Sequence, residues 1–188
     1  MAAPTAAVSG PISTTAEPIP ATDTAGIQAA TLPDREAEPV DAVGSLRASV
    51  VLPAALTPDP AKASAFLDAM NAARIAEGTS LLSREPALDE VALARANNLV
   101  TNGYFDHYAP DGESAFSELA ARGIRYRLAG ENLARNNYPE ARTVAAAFDG
   151  LMASPGHRAN ILEPRFTRAG VAVVHSGHMW VYVTVFMD

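Results

Sequence analysis

The sequence predicts an α+β domain, with helices gathered around a small antiparallel sheet, behind an N-terminal leader of different composition. Three observations carry this prediction. Residues 1–60 contain prolines at 4, 11, 18, 20, 33, 39, 53, 58 and 60 and no aromatic residue, so no helical or strand period survives there. From Ala61 onward apolar residues recur at helical spacing in segments punctuated by Gly78, Gly103 and Gly123. The chain then ends in two β-rich runs, Ala169–His175 and Met179–Phe186.

The elements follow in order. Phe66, Leu67, Met70, Ala73 and Ala76 share one helical face, and Gly78 stops that helix. A second helix is expected over Pro86–Asn102, with Leu88, Val91, Ala92, Arg95, Ala96, Leu99 and Val100 on one broad face and Gly103 behind it. Pro110-Asp111-Gly112 reads as a turn, and Ser114 caps a short helix running to Arg122. Pro139 suits the first position of a fourth helix bearing Val144, Ala145, Phe148, Leu151 and Met152. Ser154-Pro155 repeats the start signal for a fifth helix through about Leu162. Ser176-Gly177-His178 joins the two strands as a hairpin. Trp180, Tyr182 and Phe186 alternate onto one face and read as core.

Charge and composition narrow the function classes. The net charge of −7 divides into −5 in residues 1–60 and −2 in the remainder. Nothing in that balance offers the clustered Lys and Arg that nucleic acid or anionic lipid demands. Without cysteine the chain has no disulfide framework, thiolate chemistry or Cys-ligated metal. No window reaches the roughly 20 apolar residues of a membrane helix. The N-terminus lacks the basic start and apolar run of a secretory signal, so either the protein stays inside or a signal precedes Met1 and has been removed. Residues 1–60 are expected to be a flexible leader or linker, with Ser45–Leu56 able to dock as an extended arm, and residues 61–188 a single domain.

Three residues stand out chemically. His107 follows Tyr104-Phe105-Asp106 in a loop, placed for a cleft as readily as for packing. Glu131 sits in Ala129-Gly130-Glu131-Asn132-Leu133, among small or apolar neighbours, as a carboxylate near the interior that needs a partner. His157 falls in the first turn of the fifth helix, where the dipole disfavours an imidazolium. A neutral ring there can serve as acceptor, base or metal ligand. His175 and His178 flank the hairpin turn and are expected to be exposed, able at most to form a weak surface metal site with Asp188.

Taken together, Phe105-Asp106-His107, Gly130-Glu131-Asn132 and the nine residues from Ser154 to Leu162 resemble the CAP superfamily in its bacterial branch of SCP-like extracellular proteins. That superfamily unites cysteine-rich secretory proteins, antigen 5 and pathogenesis-related proteins. The resemblance spans Phe66 to Phe186, includes Asn71 and Arg74, and leaves the leader uncovered. It implies an α–β–α sandwich with a central cleft lined by His107 and Glu131, with His157 and its capping Ser154 close by and Asp111 at the rim. It also implies a secreted or envelope-associated protein that binds lipids, sterols or partner proteins, with a monomer as the expected state. Two positions depart from the pattern. The helix before the Ser-Pro-Gly-His block carries no carboxylate, and Val181-Tyr182-Val183-Thr184 stands where animal and plant members have a His-Tyr-Thr-Gln run. Leu151 and Thr184 also replace a Trp and a Gln frequent in the bacterial form.

Three functions are compatible with the trio. As a binding module, a His107, His157 and Glu131 cleft would take a small apolar ligand, a partner protein or a divalent metal such as zinc, although no cofactor is required. As a hydrolase, Glu131 would be the general base, directly or through a metal, yet no Ser or Cys has the surroundings of an activated nucleophile. As a structural device, the three would form a buried polar cluster fixing helices on the sheet.

Overall fold

The computed structural model describes residues 26–29, Leu56 and residues 58–188. The expectations of a flexible spacer and of a docked arm over Ser45–Leu56 lie almost wholly outside the described residues.

Helix α1 spans Pro60–Ala76. Asp59 begins it by accepting the Lys62 amide on Oδ1 at 2.9 Å, and Pro60 occupies the first turn, where its missing N–H costs nothing. Gly78, at φ 71°, ends it as expected. Helix α2 covers Pro86–Thr101 and α3 covers Ala115–Ala121. Ser114 and Ser117 close a reciprocal capping box on α3. Helix α4, at Thr143–Ala153, begins four residues later than Pro139 suggested. The Pro139 carbonyl accepts the Arg142 and Thr143 amides in a turn. Thr143 is meanwhile pinned to Asn136, donating its hydroxyl to Asn136 Oδ1 at 2.8 Å and accepting Asn136 Nδ2 on its carbonyl at 3.0 Å. Helix α5, Pro155–Leu162, follows.

The sheet contains more than the two strands read from sequence. Its long members are β3 (Leu128–Asn136), β4 (Arg168–Ser176) and β5 (Met179–Met187), with short β1 (Gly26–Ala29) and β2 (Ser83–Arg84). The order is β1-β3-β5-β4-β2. All pairings are antiparallel except the two-residue match of β2 to β4. Strand β1 corrects the expectation that residues 1–60 hold no strand: its hydrogen-bond partners come from β3, a hundred residues away, and not from any local period. The hairpin between β4 and β5 is tighter than read, with Ser176 paired to Met179 across Gly177-His178. Gly177 has φ 60° and, among the described residues, no non-glycine residue has positive φ, the signature of a type II′ turn here.

Helices cover both faces, giving the α–β–α sandwich. On one face α1, α4 and α5 enclose Leu128, Ala134, Val171, Val173, Tyr182 and Phe186. On the other, α2 and α3 enclose Ala129, Leu133, Ala172, Val183 and Val185. Trp180, Tyr182 and Phe186 are core residues, as expected, with Tyr182 packed 4.8 Å from Phe66 and Phe186 5.4 Å from Phe166. Helix α2 lies so close to β4 that a Cβ on Gly170 would stand 2.0 Å from the Leu88 carbonyl carbon.

His175 and His178 are exposed, and His175 stacks on Trp180 at 4.1 Å. Asp188 cannot join them. It sits at the far end of the nine-residue β5, roughly 30 Å from the hairpin, where it accepts the Arg127 and Leu128 amides.

Candidate functional site

An arginine in the apolar face of α2 organises the site. Arg95 is surrounded in sequence by Val91, Ala92, Ala96 and Leu99, all buried, and is itself 1% exposed. A buried cation of this kind needs a complete set of acceptors, and Arg95 has one. Its Nε donates to Glu131 Oε1 at 3.0 Å, one terminal nitrogen donates to Tyr104 Oη at 2.8 Å, and the other to the carbonyls of Asp106 and His107 at 3.1 Å each. The guanidinium therefore pairs with the carboxylate on β3 and also clamps the loop that carries His107. Burial alone would lower the Arg95 guanidinium, but the charge and hydrogen bond of Glu131 hold it above its ordinary value. Burial likewise raises the Tyr104 hydroxyl, against the opposing pull of Arg95.

Glu131 is fully buried, and its second oxygen, Oε2, lies 2.6 Å from His107 Nδ1. A carboxylate oxygen only accepts, so His107 Nδ1 carries the proton in this contact. This carboxylate–imidazole arrangement sets the ring orientation of His107.

His157 does not join that cluster. Side chains alternate along a strand, so Glu131 faces α2 while the next residue, Asn132, faces α5. On the α5 side Asn132 donates to the His157 carbonyl at 3.0 Å and accepts from Asn160 Nδ2 at 2.9 Å, and Asn160 also reaches the Glu131 carbonyl at 3.3 Å. His157 Nδ1 is 2.8 Å from Ser154 Oγ. Ser154 has the backbone position of an N-cap, but its hydroxyl bonds to this ring and not to a helix amide. The expected single cleft is thus two networks, back to back on β3. Asp111 is exposed, and its Oδ1 accepts the Glu113 amide in a turn.

The expected zinc set is not assembled. Among the described residues no group of three or more His, Asp or Glu is placed to hold a metal ion. Both Glu131 oxygens are engaged by Arg95 and His107, and His157 lies behind the strand.

Arg95, Tyr104, Asn132 and Asn160 went unassigned in the sequence reading. Arg95 was legible as an anomaly, a charge on a face of α2 otherwise made of Leu, Val and Ala. Tyr104 carried no comparable signal. Beside this network, a cavity of about 190 Å³ opens between the end of α2 and the hairpin, lined by Leu99, Tyr104, Phe105, Arg135, Met179 and Val181 among others.

Comparison with known proteins shows the family. The model of the cysteine-rich secretory protein family, CAP, matches residues 67–187. The chain belongs to this family. Protein YkwD of Bacillus subtilis is 36% identical over 128 residues, which cover 66% of this chain and 48% of that protein. Membrane protein YlbC of the same organism is 32% identical over 108 residues, 57% of this chain and 30% of that one. The chain therefore spans half or less of the curated relatives it matches. An extracellular protein containing an SCP domain from Bacillus anthracis superposes with a TM-score of 0.61 at 27% identity, over 69% of this chain and 41% of its own. An outer surface protein of Borrelia burgdorferi shares the fold, with a TM-score of 0.61 at 17% identity over 71% and 98% of the two chains.

As a CAP domain, the protein is bacterial in type, and its name-giving cysteines are absent. Leu151, at one of the departing positions, is fully buried in the core against α1 and the sheet. Thr184, at another, is buried on the α5 face in register with Asn132. Both substitutions therefore lie within the packed layer between sheet and helices. Among the described residues no helix is long and apolar enough to cross a membrane.

Proposed function

We propose that this CAP domain is a secreted or envelope-associated binding protein whose recognition surface is the loop bearing the exposed Tyr108, held in place by the buried network of His107, Glu131 and Arg95. The observation that carries this reading is the double engagement of Glu131, with Arg95 on one oxygen and His107 on the other and no surface exposed. A general base must reach a water or a substrate proton. A carboxylate so enclosed orients its neighbour, and the hydrolase reading loses its base. The extracellular setting of the Bacillus anthracis relative supports placing this chain outside the cell as well.

A partner protein is the favoured ligand. Tyr108, adjacent to His107, leaves 56% of its surface exposed, a large aromatic beside a polar anchor of the kind that interface centres use. A sterol or lipid is less well supported, because the cavity beside Tyr104 has about 190 Å³ against the roughly 300–1,000 Å³ of drug-sized pockets. The structural reading keeps the other network: His157, Ser154, Asn132 and Asn160 tie α5 to β3.

The test is photo-crosslinking from a benzoylphenylalanine placed at position 108 in cells that export the protein. The expected result is a discrete adduct that His107→Gln abolishes while the domain stays folded. An adduct pattern indifferent to His107→Gln would refute the proposed surface.

A further inference from the structure

Outside the two networks on β3, one arginine has an unanswered donor among the described residues. Arg135 lies on β3, its guanidinium carbon 4.5 Å from the centre of the Phe105 ring, and its Nε is buried without a hydrogen-bond partner among the described residues. Ion pairs involve most of the other arginines, yet no carboxylate pairs with Arg135 among the described residues. Buried donors are nearly always satisfied, and an exception in a guanidinium asks for an acceptor.

The surroundings define that acceptor. Among the described residues Arg135 is the single charged one lining the cavity of about 190 Å³, and the rest of that wall is chiefly apolar and aromatic: Leu99, Val100, Tyr104, Phe105, Met179 and Val181. The volume equals about six waters, below the size of drug-like sites. Stacking on Phe105 holds the guanidinium plane in place, so its planar fork is preorganised. That fork matches the two oxygens of a carboxylate, and the apolar wall matches a short hydrocarbon or a single ring.

We propose that this cavity is a binding site for a small carboxylate with an apolar body, anchored at its anionic end by Arg135. It is separate from His107, although the two share Tyr104: that residue lines the cavity and accepts a hydrogen bond from Arg95. Occupancy of the cavity is expected to be independent of what the loop bearing His107 and Tyr108 recognises.

The test is a titration of the full chain with sodium benzoate and sodium hexanoate, followed by calorimetry and by amide shifts of residues 99–105, 135 and 179–181. The expected result is saturable binding of at least one of them in the millimolar range or tighter, weakened at least tenfold in Arg135→Met. His107→Gln should leave it within twofold. Toluene and inorganic phosphate serve as the apolar and anionic halves alone, and each should bind at least tenfold more weakly than benzoate. Arg135→Met removes a charge that no carboxylate pairs among the described residues and keeps an apolar side chain against Phe105, so its melting curve should stay close to the wild type and loss of binding cannot be ascribed to unfolding. No saturation by either carboxylate up to 50-fold molar excess at about 10 mM ligand, equal affinity in Arg135→Met, or phosphate binding as well as benzoate would overturn the proposal. A tenfold loss in His107→Gln would overturn the separateness of the two sites while leaving the reading of His107 intact.

Discussion

Nδ1 of His107 lies 2.6 Å from Oε2 of Glu131, while Arg95 donates to the other oxygen of the same carboxylate at 3.0 Å. The loop, the strand and α2 are thereby joined by one buried charge. Removing one member leaves the others desolvated and unpaired, which for a buried ion pair costs about 3–5 kcal/mol. Glu131→Gln should therefore destabilise the domain by that order in urea unfolding, and Arg95→Met by a similar amount. The double variant removes both charges and should cost less than the sum, with a coupling energy of roughly 1–3 kcal/mol. Strict additivity would show that Arg95 and Glu131 do not depend on each other.

Gly170 predicts a sharper effect from a smaller change. An added Cβ would meet Leu88 carbonyl carbon at 2.0 Å and Asp89 amide nitrogen at 2.4 Å, both backbone atoms of the first turn of α2. Backbone cannot rotate away as a side chain can, and Asp89 also holds the helix down by accepting the Val171 amide at 2.8 Å. Gly170→Ala should cost upward of about 4 kcal/mol or prevent folding. Gly130→Ala is the control: its nearest neighbour is the Phe166 ring at 2.9 Å, which can shift, and roughly 1–3 kcal/mol is expected.

Other glycines show where the sequence was readable. Helix stops at Gly78, Gly103 and Gly123 are local events, written in φ and in apolar spacing, and the helices came out within a few residues. Strand β3 was invisible for the opposite reason. Leu128-Ala129-Gly130-Glu131-Asn132 holds none of the β-branched or aromatic residues that mark strands, and it is a strand because β5 and β1 pair with it on either side. Missing the strand also hid the separation of the site. His107, Glu131 and His157 were each legible as special, but only the alternation of Glu131 and Asn132 along a strand shows that the two histidines belong to opposite faces. Ser154 illustrates a subtler limit. Its position before Pro155 marks a helix start correctly, while the imidazole three residues on takes the hydroxyl that a cap would have used.

Two networks on opposite faces of β3 predict separable responses. Asn132→Ala removes the donor to the His157 carbonyl and the acceptor of Asn160, leaving buried groups unsatisfied at a cost of about 2–3 kcal/mol. Hydrogen exchange should accelerate through α5, while the ring resonances of His107 stay in place. A His107 shift as large as that of His157 would show that the networks communicate through β3.

Tyr182 sets the alkaline limit of the fold. Thr143 has one hydroxyl proton and gives it to Asn136 Oδ1 at 2.8 Å, so in the 2.9 Å contact with Thr143 the Tyr182 hydroxyl is the donor. Only the neutral phenol can donate, and burial pushes the Tyr182 hydroxyl up to about 12. In the unfolded chain the group titrates near 10. Between those values the unfolded state has released its proton and the folded state has not, so stability is complete below about pH 10 and falls as pH rises toward 12. The slope from this group is about 1.4 kcal/mol per pH unit, reaching roughly 2–3 kcal/mol in all. Tyr182→Phe should cost about 1 kcal/mol at pH 7 through the lost hydrogen bond, yet flatten the decline in urea-measured stability between pH 10 and 12. Part of the decline should persist, because burial also raises Tyr104 and Tyr126. An alkaline slope unchanged by Tyr182→Phe would place the sensitivity on those two residues instead.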